Sequence, residues 1–181
     1  MSRNTRSDLA IPLLVIVLVF GLLTPLHADS DKTIKQILST NSAPEGVVFE
    51  IATGDSNGLS WAIPKVQTYI KQLREKFPEL SIAVVTHGRE MFAMQETATK
   101  QNQAVHQTVR SLTRDQDVPV YVCGTYAGWR GLAEEDFPDY VDVAAAGPAQ
   151  INDLVALGYT RIIISNKNRN QNEKTPVSQS D

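Results

Sequence analysis

A chain of 181 residues, 42% of them hydrophobic and 20% charged, has the composition of a soluble globular protein and a length that suits a single domain with tails. Its formal net charge of −3 gives no sign of the basic surface that nucleic-acid-binding proteins carry. The single cysteine, Cys123, excludes an intramolecular disulfide, so disulfide bonds do not hold this fold together.

The N-terminal segment, residues 1–28, has the order of a secretory signal peptide. Arg3 and Arg6 precede an uncharged stretch from Leu9 to Ala28, which Pro25 interrupts just before the small residue Ala28. This order predicts cleavage after Ala28. The alternative is an uncleaved anchor, because the uncharged stretch is long enough to span a bilayer. Either reading predicts an exported, periplasmic domain that meets the membrane only through this segment, if at all.

Residues 29–45 form a polar lead-in with a short helix near 34–38. Short β-branched runs then alternate with segments whose apolar residues repeat at helical spacing. The apolar runs predict strands at 47–51, 80–86, 118–123, 141–146 and 161–165. The helical repeats predict helices at 62–77, 103–114 and 149–157, and residues 124–132 form a helix or loop. We expect Ser60 to cap the first long helix and Pro64 to lie in its first turn. Residues 166–181 are predicted to be a disordered polar tail.

This alternation predicts a three-layer α/β sandwich over residues 46–165, with a mainly parallel five-stranded sheet between helices on both faces. In such folds ligands bind at the carboxyl edge of the strands. The loops expected at that edge all contain glycine: 54–58, 87–88, 123–128 and 147–148.

Cys123 is the first candidate for chemistry, because it ends a predicted strand just before a predicted helix. Free N–H groups at a helix start favour the thiolate, which is the form that attacks or carries sulfur. The alternative is a buried, inert cysteine, since free cysteine is among the most buried residue types. The position alone leaves both readings open.

Two further side chains could assist this thiol. His87 ends the neighbouring predicted strand, where it could bond a thiolate or carry a proton, although a histidine there is more often structural. Arg130 follows Cys123 by seven residues, a spacing that on a helix returns to the same face and would place a guanidinium near an anionic substrate. The alternative for Arg130 is a solvated surface arginine. His106, among polar neighbours in a predicted helix, is expected to be exposed.

Other chemistries have weak support. The histidines and the cysteine lack the spacing of metal ligands. The loop at 54–58 lacks the lysine of a phosphate-binding loop, and no serine-hydrolase elbow is present. The residues therefore give only weak support to a metal site or a phosphate-binding loop.

The segment VPVYVCGTYAGWRGL, residues 118–132, resembles the active-cysteine segment of the DsrE/DsrF-like family, which includes the TusD-type sulfur relay proteins. The shared features are an apolar strand that ends in Cys123, a small-residue turn, and the pair Arg130–Gly131. The strands VVFEIATGD and IAVVTHG, and the later segment VAAAGPAQINDLVALGYTRIII, also look similar to family segments. The likeness covers about residues 46–165.

The resemblance implies a three-layer α/β fold that forms homo- or hetero-oligomers, with no metal or organic cofactor. It implies that Cys123 accepts sulfane sulfur as a persulfide from a donor and passes it to an acceptor protein. Backbone N–H groups from Gly124 onward, with Arg130 and His87, would bind the sulfur substrate. Known relay members work in the cytoplasm, whereas this chain reads as exported, so extracytoplasmic sulfur metabolism fits its location better.

Two other functions stay open at this point. The chain could be a non-catalytic oligomeric binding module in which Cys123 is structural, or a redox sensor that dimerises through Cys123. Whether it is an enzyme of the sulfurtransferase type or a carrier also stays open.

Overall fold

The computed structural model describes residues 29–166, so the predicted signal segment and the tail from residue 167 onward lie outside the described residues. The helices are α1 (Ser30–Ser39), α2 (Leu59–Lys76), α3 (Gln103–Asp115), α4 (Gly124–Gly128) and α5 (Gly147–Ala156). The strands are β1 (Gly46–Ile51), β2 (Ile82–Thr86), β3 (Val120–Cys123), β4 (Asp142–Ala144) and β5 (Tyr159–Ile164). A 3₁₀ segment, Arg89–Met94, follows β2.

The five strands form one parallel sheet in the order β4-β3-β2-β1-β5. The chain therefore steps from β1 to β4 in one direction and then returns to the far side of β1. A constant right-handed crossover places α2 and α3 on one face during the outward steps and α5 on the other face during the return. The predicted three-layer α/β fold with a parallel sheet is confirmed.

The pleat of the strands divides the apolar residues between two cores. In β1, the side chains of Val47, Phe49 and Ile51 join the larger core under α1, α2 and α3. Val48 faces the smaller core under α5, together with Val85 of β2. Both faces of the central strands are thus buried, which explains why these strands read as continuous apolar runs.

The start of α2 differs from the prediction. The helix begins at Leu59, which is buried, and Gly58 is its N-cap without a side-chain hydrogen bond. Ser60 lies inside the first turn and donates its hydroxyl to the carbonyl of Asn57 (2.7 Å), so the prediction that Ser60 caps the helix is wrong. The earlier start also places Pro64 in the second turn rather than the first.

The prediction that His106 is exposed is also wrong, because the side chain is only 2% exposed. Its Nε2–H donates to the carbonyl of Ala93 (2.9 Å), and its Nδ1 accepts from the hydroxyl of Tyr140 (2.6 Å). Burial, together with the charge of Arg110, holds the pKa of His106 below its ordinary value of 6.5. The ring is therefore a neutral bridge that ties α3 to the 3₁₀ segment and to the loop before β4.

This bridge predicts a loss of stability in mild acid. Below about pH 6.5 the unfolded chain protonates His106 while the folded chain does not, so the free energy of unfolding falls by up to about 1.4 kcal/mol per pH unit until the lowered pKa is reached. Urea unfolding at pH 7.5 and 5.5 measures this difference. His106→Gln should destabilise the protein at pH 7.5 by about 1–3 kcal/mol and flatten the pH dependence. An unchanged slope in the variant would contradict this assignment.

Candidate active site at the carboxyl edge of the sheet

Cys123 is the last residue of β3 and the N-cap of the five-residue helix α4. The prediction that Cys123 lies between a strand and a helix is therefore confirmed. The side chain is only 5% exposed. The position of Cys123 at a helix start favours a reactive thiolate, whereas its burial favours an inert, structural cysteine.

The path of the chain makes a crevice at this point. The strands β3 and β4 are neighbours, with Cys123 paired to Ala144. Helix α4, which follows β3, packs through Ala127 on the larger core, whereas α5, which follows β4, packs on the opposite face. Adjacent strands whose connections leave toward opposite faces define the place where open α/β sheets bind ligands. Cys123 stands at that place.

Two glycines allow the backbone to close around Cys123. A methyl group on Gly124 would lie 2.9 Å from the carbonyl oxygen of Ala144. A methyl group on Gly147 would lie 2.6 Å from Cβ of His87 and 3.3 Å from Cβ of Cys123. The first turn of α5 therefore lies directly on the His87 and Cys123 side chains, and only a residue without a side chain fits there.

His87 extends the register of β2 against β3. Thr86 pairs with Val122, so the next pair along both strands is His87 beside Cys123. The N–H of His87 also donates to the carbonyl of Ile51 (3.0 Å), which continues the sheet pairing on its other side. Gly147 approaches the Cβ atoms of both residues, so His87 and Cys123 are neighbours at the carboxyl edge, and the Cys123 side chain also packs against the larger core.

Glu50 and Arg161 complete a charged group on the α5 face, and no sequence motif singled out either residue. Nε2 of His87 lies 2.9 Å from Oε1 of Glu50, and Nε of Arg161 donates to Oε2 of the same carboxylate. Burial alone would raise the pKa of Glu50, but the hydrogen bonds from His87 and Arg161 and the charge of Arg161 hold it below its ordinary 4.5. A glutamate at one interior position of an apolar strand is the one signal that could have pointed to this group.

Glu90 is a second missed carboxylate, and it fixes the loops of the edge rather than facing the crevice. The side chain is fully buried. Its oxygens accept hydrogen bonds from the N–H of Thr53 (2.7 Å), the hydroxyl of Thr86 (2.7 Å) and the N–H of Gly88 (2.8 Å). Glu90 thereby ties the loop after β1 to the end of β2, next to His87.

Arg130 does not occupy the helical position that the sequence analysis expected. Helix α4 ends at Gly128, so the seven-residue spacing from Cys123 does not follow a helix. The guanidinium of Arg130 instead stacks over the rings of Phe92 (5.2 Å) and Tyr126 (5.8 Å). Both rings are half-buried and pack against the larger core beside α4.

The described part of the chain holds neither a cluster of metal ligands nor a membrane-spanning helix. Among residues 29–166, no group of three or more His, Cys, Asp or Glu side chains is placed to hold a metal ion. Over the same residues, no helix is both long and apolar enough to cross a membrane.

Comparison with known proteins identifies a family and a fold. A sequence model of the DsrE/DsrF-like family matches residues 34–163. Among solved structures, the protein of unknown function MTH1491 from Methanobacterium thermoautotrophicum is 22% identical, with a TM-score of 0.53 over 65% of this chain and 97% of its own. The ychN protein from E. coli is 15% identical, with a TM-score of 0.46 over 66% and 99%. Among curated proteins no relative matches the chain.

Gly147→Ala tests the close contact at the crevice. The added methyl group must displace His87 or the start of α5, so we expect a loss of about 1–3 kcal/mol in the free energy of unfolding, measured in urea. Gly128→Ala is the matched control, because Gly128 also lies in a helix and has open space around its Cα. The control should change stability by no more than about 1 kcal/mol. Equal stabilities for the two variants would contradict the contact.

Proposed function

The chain belongs to the DsrE/DsrF-like family, and we propose on that premise that it is a sulfur carrier that holds sulfane sulfur as a persulfide on Cys123. The family supports a sulfur-relay role in which members act with partner proteins. This proposal includes the persulfide, a sulfur donor, an acceptor and the homo-oligomer that the resemblance implies.

The single observation that carries the proposal is the placement of Cys123 in the crevice between the carboxyl ends of β3 and β4. Ligands of open parallel sheets bind at this kind of crevice, and the only sulfur nucleophile of the chain stands in it. His87, an imidazole able to take a proton, is the next residue across the sheet.

The proposed step needs no oxidant. The Cys123 thiolate attacks the outer sulfur of a sulfane donor such as thiosulfate, and a bond forms between Sγ and that sulfur. The sulfur–sulfur bond of the donor breaks, and sulfite leaves with the bonding electrons. An acceptor thiolate then attacks the outer sulfur of the persulfide, and Cys123 leaves as the thiolate. The N–H of Thr125 already donates to the carbonyl of Ala145 (3.0 Å). The N–H of Gly124 is therefore the backbone donor proposed to bind the anion, with Arg130 as a further candidate.

A second function is favoured by a different observation. Because Cys123 is 5% exposed, it also fits a structural cysteine in a non-catalytic oligomeric module that binds a ligand or partner at the glycine-lined edge. The two functions make opposite predictions for the thiol. A carrier has a thiol that reacts in the native state, whereas a structural thiol reacts only on unfolding.

Intact-mass analysis of the protein before and after incubation with thiosulfate or polysulfide distinguishes them. We expect the mass to rise by whole sulfur atoms, the gain to disappear on reduction, and Cys123→Ser to show no gain. Urea unfolding of the serine variant confirms that it is folded under the assay conditions, which shows that the loss is chemical. No gain in the native protein, with a thiol that labels only in denaturant, would refute the carrier and support the binding module.

We further propose that this chemistry takes place outside the cytoplasm, because residues 1–28 read as a signal segment. Full-length protein expressed in a Gram-negative host should appear in the periplasm with a mass that begins at Asp29. Val17→Arg, which puts a charge in the apolar run, should abolish export. A full-length protein in the membrane fraction would indicate the anchor instead, and a cytoplasmic protein would contradict both.

A further inference from the structure

We propose that Glu50 is a positioning residue for sulfur uptake, whose carboxylate holds His87 so that the free ring nitrogen receives the proton of the Cys123 thiol. The inference rests on the proposed function of Cys123. It gives a role to the ion pair of Glu50 and Arg161, which neither the sequence motifs nor the family resemblance singled out.

Three strands bring the participants to one edge of the sheet. His87 of β2 is the residue beside Cys123 of β3, one step beyond the pair Thr86–Val122. Glu50 of β1 pairs with Val85, two residues before His87, and its side chain therefore points to the same face. The start of α5 covers the group, since a methyl group on Gly147 would contact both Cβ of Cys123 and Cγ of His87, each at 3.3 Å.

The hydrogen bond to Glu50 determines the tautomer of His87. An ionised carboxylate only accepts hydrogen bonds, so Nε2 of His87 must carry the hydrogen that it shares with Oε1 of Glu50. In the neutral ring, Nδ1 is then a lone-pair acceptor. Among the described residues Nδ1 has no hydrogen-bond partner, Sγ of Cys123 included. It is attached to the Cγ that would lie 3.3 Å from a methyl group on Gly147, at the same distance as Cβ of Cys123.

Arg161 keeps the carboxylate in its ionised form. Glu50 is nearly enclosed, with 8% of its side chain exposed, and a buried carboxylate without a cation would take up a proton. Arg161 donates to Glu50 from one side while its guanidinium stays partly in solvent, with 44% of the side chain exposed. His87 binds the carboxylate from the other side, so the Glu50 oxygens are both occupied and their orientation is fixed.

Few other ionisable groups face His87. Helix α5, which packs over the group, has no ionisable side chain in its first turn, residues 147–150. On the loop that carries His87, the carboxylate of Glu90 is bound to Thr53, Thr86 and Gly88 on the other side of the strand. The ionisable side chains of β3 are Cys123 and Tyr121, and Tyr121 packs against the smaller core under α5. Arg89, on the same loop, is exposed. Glu50 is the ionised group hydrogen-bonded to His87, and Arg161 is bound to Glu50.

The proposed proton transfer precedes the sulfur step. Nδ1 of His87 takes the proton from Sγ of Cys123, which gives a thiolate beside an imidazolium, and the negative charge of Glu50 stabilises that imidazolium. The thiolate attacks the outer sulfur of thiosulfate, and sulfite leaves with the electron pair of the broken bond. His87 afterwards returns its proton to solvent.

The test is the pH dependence of Cys123 chemistry in wild type and in Glu50→Gln, which keeps the shape and the acceptor oxygen but removes the charge. Two rates are measured from pH 5 to 9: alkylation by iodoacetamide and sulfur uptake from thiosulfate. In Glu50→Gln both rates should fall about tenfold at pH 7, with the rate profile moved to higher pH. Glu75→Gln, at an exposed position on α2, is the matched control and should behave as wild type.

A double-mutant cycle separates positioning from mere structural support. If Glu50 acts through His87, then Glu50→Gln should cost no further rate in a His87→Gln background, because the two residues act as a unit. A purely structural role predicts an equal loss in both backgrounds and no movement of the pH profile. Urea unfolding of each variant confirms that the rates compare folded proteins.

The outcomes distinguish this inference from the proposed function. Wild-type sulfur uptake that Glu50→Gln leaves unchanged at every pH would overturn the positioning role and leave the carrier in place. Alkylation that depends on Glu50 without any sulfur uptake by wild type would refute the carrier and retain the effect of Glu50 on the thiol. A native Cys123 that iodoacetamide fails to modify in wild type would overturn both.

Discussion

The handedness of parallel crossovers is the constraint on which the site of this protein depends. Right-handed connections carry α2 and α3 along one face as the chain builds β1 to β4, and the return to β5 carries α5 across the other face. The reversal occurs after β4, so the connections of β3 and β4 leave in opposite directions. The crevice between their carboxyl ends follows from topology before any side chain is considered, and Cys123 ends the strand that borders it.

The same reversal explains the tight contacts around the thiol. Helix α5 must begin at the carboxyl edge and pass over β3 and β2, and its first residue, Gly147, comes directly against His87 and Cys123. Burying Glu50 under this helix costs desolvation free energy, which cations and hydrogen-bond donors must offset. Arg161 and His87 provide them from the strands on either side. The close contact of Gly147 with Cys123 and the ion pair of Glu50 with Arg161 therefore both follow from the path of α5 across the sheet.

The sequence was sufficient to predict the layers, because each strand is a short apolar run and each long helix repeats its apolar residues at regular spacing. It also placed Cys123 at a strand end and His87 at the end of the neighbouring strand, which are local properties. It could not pair Glu50 with Arg161, since the two residues lie on strands far apart in sequence that become neighbours only through the return crossover.

Two departures from expectation have the same origin. His106 has polar neighbours on α3, and its partners Ala93 and Tyr140 come from separate loops, so no local pattern reveals its burial. Arg130 was placed by assuming that α4 continues, but the helix ends at Gly128 and the arginine stacks on Phe92 and Tyr126. Contacts between segments that are distant in sequence determine both the burial of His106 and the stacking of Arg130.

The central claim is that Cys123 both accepts and releases a sulfur atom, and release to cyanide tests it most directly. Protein treated with thiosulfate and freed of excess donor is exposed to cyanide, and the thiocyanate formed is compared with the amount of chain. We predict one cyanide-labile sulfur per chain, and none in Cys123→Ser. A thiocyanate yield of zero in the wild type, or an equal yield in the serine variant, would contradict the account.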